Sequence, residues 1–93
     1  MSKLNPARLR AVILEVVDNQ LRDNTPPETQ QTLTRLVGEG YSIEEAKRLI
    51  GVVVVHEIFN VLQREEFYNQ ERYVAALKRL PKLPDEDKIY YDN

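Results

Sequence analysis

The sequence predicts an all-α fold. It is a compact four-helix up-down bundle with a long central third helix over residues 1–84, followed by a polar C-terminal tail over 85–93. Three observations predict it. Apolar residues recur at three- and four-residue spacing over four stretches, the period of one helix face. Residues that start and stop helices fall between those stretches. Ten Val, five Ile and eleven Leu among 93 residues supply one modest core, which suits a single small domain.

The first helix opens at Pro6. Asn5 is an N-cap residue, and proline suits the first helical position. Leu9, Val12, Ile13, Val16, Val17, Gln20 and Leu21 then keep helical spacing to about Asn24. Thr25-Pro26-Pro27-Glu28 stops that helix and starts the second, with Thr25 expected as its N-cap and Glu28 in the first turn, where the dipole favours a negative charge. Leu33, Leu36 and Val37 give the second helix a narrow apolar stripe, and Gly38 and Gly40 end it because either can take the left-handed conformation cheaply. Ser42-Ile43-Glu44-Glu45 is a capping box that opens the third helix, expected from Ile43 to about Glu65. A fourth follows Tyr68 or Asn69, from Gln70 to Leu80, with Tyr73, Val74, Leu77 and Leu80 on one face. Pro81 and Pro84 close it. The tail beyond is mostly polar, with docking expected through Ile89 and Tyr90.

Gly51-Val52-Val53-Val54-Val55 is β-branched and would suit a buried strand. Its flanks read as helix on both sides and no second strand exists to pair with it, so burial is expected to override the weak helix propensity of valine.

The long helix carries two apolar faces. At about 100° per residue, Ile43, Ala46, Val53, Val54, Glu57 and Val61 cluster around Ile50, which defines the core face. Val52, Val55 and Phe59 lie opposite, with Leu62 at the edge. Either the first or fourth helix covers this second stripe, or a second copy of the chain does. The stripe follows i, i+3, i+7, i+10, the spacing of a helix-pairing seam, and its midpoint is residue 57. Arg48 and Glu66 lie beyond its two ends with the same midpoint, so an antiparallel homodimer would set Arg48 of one chain against Glu66 of the other. The expected interface is therefore Val52, Val55, Phe59, Leu62, Arg48 and Glu66.

Glu57 breaks the core face. A buried carboxylate must be paired, hydrogen-bonded or neutral. One reading is a structural carboxylate that meets an Arg from the first helix or reaches a thin rim. The other is an acid/base or ligand residue with a raised pKa, supported by His56 beside it and Asn60 one turn on. Glu15 and Asp18, three apart on the first helix, could join Glu57 as a carboxylate cluster. A di-metal bundle site, however, wants Glu-x-x-His motifs from two helices, and the chain has none.

Composition excludes much else. There is no Cys and one His, so thiol chemistry, disulfides and multi-histidine metal sites within one chain are out. No apolar run approaches a membrane span, and residues 1–10 lack an apolar signal core, so the expected location is cytoplasmic. Net charge is −2 with no basic block for phosphate neutralisation, so nucleic acid is not an expected partner. The aromatic pairs Phe67-Tyr68 and Tyr90-Tyr91 lack interleaved basic residues and make no base-stacking platform. No Gly-rich phosphate loop or Gly-x-Ser-x-Gly elbow is present. Gly38 to Ala46 has the outline of a helix-turn-helix and of a ubiquitin-associated helix pair. A recognition helix carries basic or amide residues at its start, whereas this one begins Ile43-Glu44-Glu45. The ubiquitin-associated fold has short helices, unlike the third helix here.

Asp18-Asn19-Gln20-Leu21, Pro26-Pro27-Glu28, Arg35-Leu36, Glu39-Gly40 and Glu45-Ala46 in this order resemble a small uncharacterised bacterial all-helical domain, over about residues 14–62. In many members the third helix reads His-Glu-Ala-x-His, with a further His four residues before the acidic position of the first motif. The matching positions here are Glu44, Arg48 and Leu14, so the resemblance implies no metal site in this chain. Glu44 and Arg48 are expected instead as an i, i+4 ion pair. The resemblance supports the helical fold and carries no activity.

The function expected is a non-enzymatic helical interaction module, homodimeric through the third helix, with no cofactor, no metal, and an unidentified protein as a further partner. The alternative is an enzyme or small-ligand-binding bundle centred on Glu57 and His56.

Overall fold

The structure, a computed structural model, describes residues 5–84. These form an all-α four-helix bundle: α1 (Pro6–Asp23), α2 (Pro27–Gly38), α3 (Ile43–Arg64) and α4 (Gln70–Arg79), with no strand among the described residues. The tail over 85–93, with its expected docking through Ile89 and Tyr90, lies outside them.

Local chemistry sets most of the boundaries. Asn5 accepts hydrogen bonds from the N–H groups of Ala7 and Arg8, with Pro6 at the first position. Asn24 ends α1 in the left-handed conformation, which Asn tolerates better than most residues. The capping box forms as expected: Glu45 N–H donates to the Ser42 hydroxyl and Ser42 N–H to the Glu45 carboxylate, both at 3.0 Å. The start of α2 departs from expectation. Thr25 does not cap it, because its hydroxyl turns back to the Asp23 carbonyl at 3.0 Å, and Pro26 occupies the cap without a side-chain bond. Gly38 is the last residue of α2, and Gly40 after it is the glycine with positive φ, at 110°.

The valine run is helical, and α3 packs against all three other helices. Val17 of α1, Leu36 of α2, Ala46, Ile50, Val53 and Val54 of α3, and Tyr73 and Leu77 of α4 form one core with Leu80. Gly51 sits where α3 meets α1: a Cβ there would lie 3.2 Å from the Ile13 Cγ2 methyl, so its smallness sets the approach of the two helices. Asp18 and Lys47 pair across the same contact at 2.8 Å. Ile43, expected on the core face, is exposed at the first residue of α3.

Two polar devices hold the bundle's far side. The Gln20 side-chain carbonyl on α1 accepts from the hydroxyls of Thr29 on α2 and Tyr73 on α4, each at 2.8 Å. The backbones of α1 and α4 make no close approach, so this oxygen links them. Arg35 on α2 reaches the carbonyls of Leu77 and Leu80 at 3.0 and 2.7 Å. It thereby satisfies acceptors that a helix end leaves orphaned and places a cation at the negative end of the dipole of α4.

Removing the hydroxyl in Tyr73→Phe should cost about 1 kcal/mol, since Gln20 retains Thr29 as a donor. Gln20→Leu strands two buried hydroxyls and should cost about 2 kcal/mol or more. Thermal melts of the two variants beside the parent chain would measure both. A smaller loss for Gln20→Leu would contradict a linking role for that oxygen.

Candidate functional site

Glu57 is buried, at 6% exposure, on the face of α3 that carries Ile50, Val53 and Val54. Its partner comes from α4, not from the first helix as expected. The link over residues 65–69 is short, with Glu65 in the left-handed conformation. It brings the first turn of α4 back beside the last turns of α3, whereas α1 meets α3 at Gly51. The Arg72 guanidinium grips Glu57 in a two-pronged pair, Nε to Oε1 at 2.8 Å and Nη2 to Oε2 at 2.7 Å. The backbone N–H of Asn69 donates to Oε2 at 3.1 Å, while the Asn69 side chain caps α4 by accepting from Arg72 N–H at 2.9 Å. The third nitrogen of Arg72 holds Glu66 at 3.1 Å.

This arrangement fixes the protonation state of Glu57. The Arg72 hydrogen bonds, assisted by the Asn69 N–H, outweigh burial and hold the carboxyl below its usual value. The same bonds push the Arg72 guanidinium up. The acid/base reading required the opposite direction for Glu57. Glu15 and Asp18 do not join it: Glu15 is exposed and Asp18 pairs with Lys47. Among the described residues no cluster of three His, Asp or Glu is placed to hold a metal ion.

His56 and Asn60 do meet, Nδ1 to Nδ2 at 3.3 Å. With Glu57 and Arg72 they line a polar groove of about 310 Å³ between α3 and the end of α4. Tyr73 forms part of its floor, and burial pushes its phenol up to about 12. The groove, the Gln20 link and the Arg35 cap depend on contacts between helices that the sequence does not display. Gln20 gave a signal, since it is a polar residue at an apolar position of α1. Arg35 and Arg72 gave none, because a partner many residues distant leaves no local pattern.

The second stripe of α3 is open. Val52, Val55, Phe59 and Leu62 are exposed, from 41% at Val52 to 69% at Leu62, so neither α1 nor α4 covers them within the chain. Val52 and Val55 line one wall of an apolar groove of about 380 Å³, with Leu9, Ile13 and Leu14 of α1 on the other and Arg48 at its edge. Leu9 and Val12 are exposed too. Glu66 does not belong to this face. The helix ends at Arg64, and the Glu66 carboxylate is on Arg72 of its own chain, so Glu66 is not placed for the expected pairing with Arg48 of a second copy. Glu44 and Arg48 are both exposed, and the expected ion pair between them does not form.

No family model, no curated protein and no solved structure matches the chain. No helix among the described residues is long and apolar enough to cross a membrane.

Glu57→Ala leaves Arg72 without its principal partner inside the fold and should cost about 3 kcal/mol, the low end for breaking a buried pair. The pH dependence follows from the direction of the Glu57 shift. Its folded value lies below its ordinary 4.5, so its contribution is complete above that value and is lost as pH falls through the depressed one. Thermal melts across this acid range should show the parent chain losing stability and Glu57→Gln losing less. Parallel slopes would place Glu57 outside the linkage.

Proposed function

We propose that the protein is a cytoplasmic, non-enzymatic interaction module that pairs with a second copy of itself through the α1/α3 face. The observation that carries this reading is the exposed apolar stripe of α3 continuous with the apolar groove beside α1. Contiguous exposed apolar surface marks association sites, and a chain this small gains stability by covering it. The second copy is favoured as occupant by self-complementarity, which an isologous interface requires. In an antiparallel pairing about residue 57, Phe59 faces Val55 and Leu62 faces Val52. The two exposed knobs of one α3 thereby meet the groove wall of the other. Arg48 then faces the C-terminal end of the second α3, where the helix dipole favours a cation.

A second reading, a small-ligand-binding bundle, draws on the polar groove where Glu57, His56, Asn60 and Arg72 converge. Convergent polar groups in a concavity are the usual mark of a ligand site. Within that reading Glu57 acts as a fixed anion, since its carboxylate is held ionised by Arg72.

Sedimentation equilibrium at micromolar concentration should give twice the 10.9 kDa chain mass. Phe59→Ala should weaken the dimer about fivefold to thirtyfold, since truncating a central aromatic typically costs about 1–2 kcal/mol. Val55→Asp should give a folded monomer, because its carboxylate reaches water from a position that is already 43% exposed. A parent chain that sediments as a monomer overturns the reading.

A further inference from the structure

The apolar groove between α1 and α3 carries charge of one sign. Leu9, Ile13 and Leu14 form one wall and Val52 and Val55 the other, and the polar side chains of the lining are two guanidiniums, Arg10 of α1 and Arg48 of α3. Both arginines are exposed, and among the described residues neither has a hydrogen bond or an ion pair. Glu15 and Glu44, close in sequence to Leu14 and Arg48, are exposed and stand outside the lining. Gly51 lines the groove too, and a side chain there would fill space beside Ile13. Lys47 meets Asp18 and Gly51 meets Ile13, so the two helices run antiparallel and Arg48 stands at the Leu14 end. The α1 lining runs from Pro6 to Leu14 and the α3 lining from Arg48 to Val55, about 12 and about 10 Å of helix. Three bonds of extended chain cover about 3.6 Å, so an alkyl chain of about ten carbons spans that length.

We propose that this groove binds a medium-chain fatty acid, its carboxylate held by Arg48 and its alkyl chain laid between the leucines of α1 and Val52 and Val55. Charge complementarity commits the site to an anion. A guanidinium offers a carboxylate two parallel hydrogen bonds, and Arg48 has both prongs to give. The lining commits the rest of the ligand to hydrocarbon, since its walls remove alkyl surface from water. A concave, mostly apolar lining with a few polar groups that fix orientation is the usual form of a small-molecule site. Arg10 lays its methylene stem along the chain and keeps its charged head in water, as long cationic side chains do. A bilayer presents many chains at once, whereas a groove of about 380 Å³ takes one. The site does not rest on the dimer. It shares Val52 and Val55 with it, so the two occupants exclude each other, and the fatty acid governs how much of the chain is free to pair.

The test titrates the ¹⁵N-labelled full chain with submicellar sodium decanoate. Amide resonances of Leu9, Leu14, Gly51 and Val52 should shift and saturate, with a Kd on the order of 1 mM or tighter. Hexanoate should bind about tenfold more weakly or worse, since each buried methylene is worth roughly twofold to fourfold in affinity. Decylammonium, the same chain with the opposite charge, should also bind more weakly than decanoate. Arg48→Gln, an exposed change that leaves the core intact, should weaken decanoate about threefold to tenfold and should not weaken decylammonium. Where the parent chain sediments as a dimer, saturating decanoate should shift it to monomer. The proposal is overturned by no saturation at about 5 mM decanoate, by hexanoate or decylammonium binding as tightly, or by Arg48→Gln binding decanoate as the parent does. Shifts produced only by phosphatidylglycerol vesicles would assign the face to a bilayer and overturn it too. A monomeric parent that binds decanoate keeps this inference while ending the dimer reading, and a dimer that ignores decanoate ends this inference alone.

Discussion

A carboxylate in the middle of an apolar helix face constrains everything around it. Glu57 sits among Val53, Val54 and Tyr73, where an unpaired charge would cost several kcal/mol, so the chain must deliver a cation to it. Arg72 does so from the first turn of α4, and Asn69 adds a backbone N–H from the cap of the same helix. The requirement thus fixes the register of α4 on α3, the tight left-handed exit at Glu65 and the position of Glu66 on the outer side of Arg72. With α4 so placed, Tyr73 points at Gln20 and the end of α4 comes within reach of Arg35. The two remaining polar links of the bundle follow from that placement.

Much of the fold was legible because the signals were local. Asn5-Pro6, the Ser42–Glu45 box and Gly40 are decided by neighbours within four residues, and the helix ends they imply agree with the structure to within a residue or two. The burial of Glu57 was legible through the helical phase of Ile50, Val53 and Val54. The same phase separated the stripe Val52, Val55, Phe59 and Leu62 from the core face, although it could not say whether another helix covered it.

What failed to show in the sequence was long-range or depended on a single bond angle. Nothing in the sequence pairs Glu57 with Arg72 in preference to an arginine of α1, because the choice depends on how sharply the link over 65–69 turns. The helical period places Glu66 on the α3 face only if it runs two residues past Arg64, and positive φ at Glu65 breaks that phase. Thr25 is a cap by residue type, yet its hydroxyl donates to the Asp23 carbonyl instead. The two grooves were invisible, since each is made by residues from two helices and by the gap between them.

The alternation along α3 explains how one helix serves two unlike surfaces. Val52, Val55, Phe59 and Leu62 present an apolar edge, while His56, Asn60 and Arg64 present a polar one to the groove beside α4. Ile50, Val53 and Val54 lock the rotation of the helix from within. Neither surface can be re-aimed without turning the other by the same angle, so the buried face sets both. The two also differ in physics. Apolar association depends on area removed from water and is strengthened by excluded salts, whereas ion pairs along the polar groove weaken as ionic strength rises. Salt should therefore act on the two in opposite directions, and a single titration can distinguish them on the same chain.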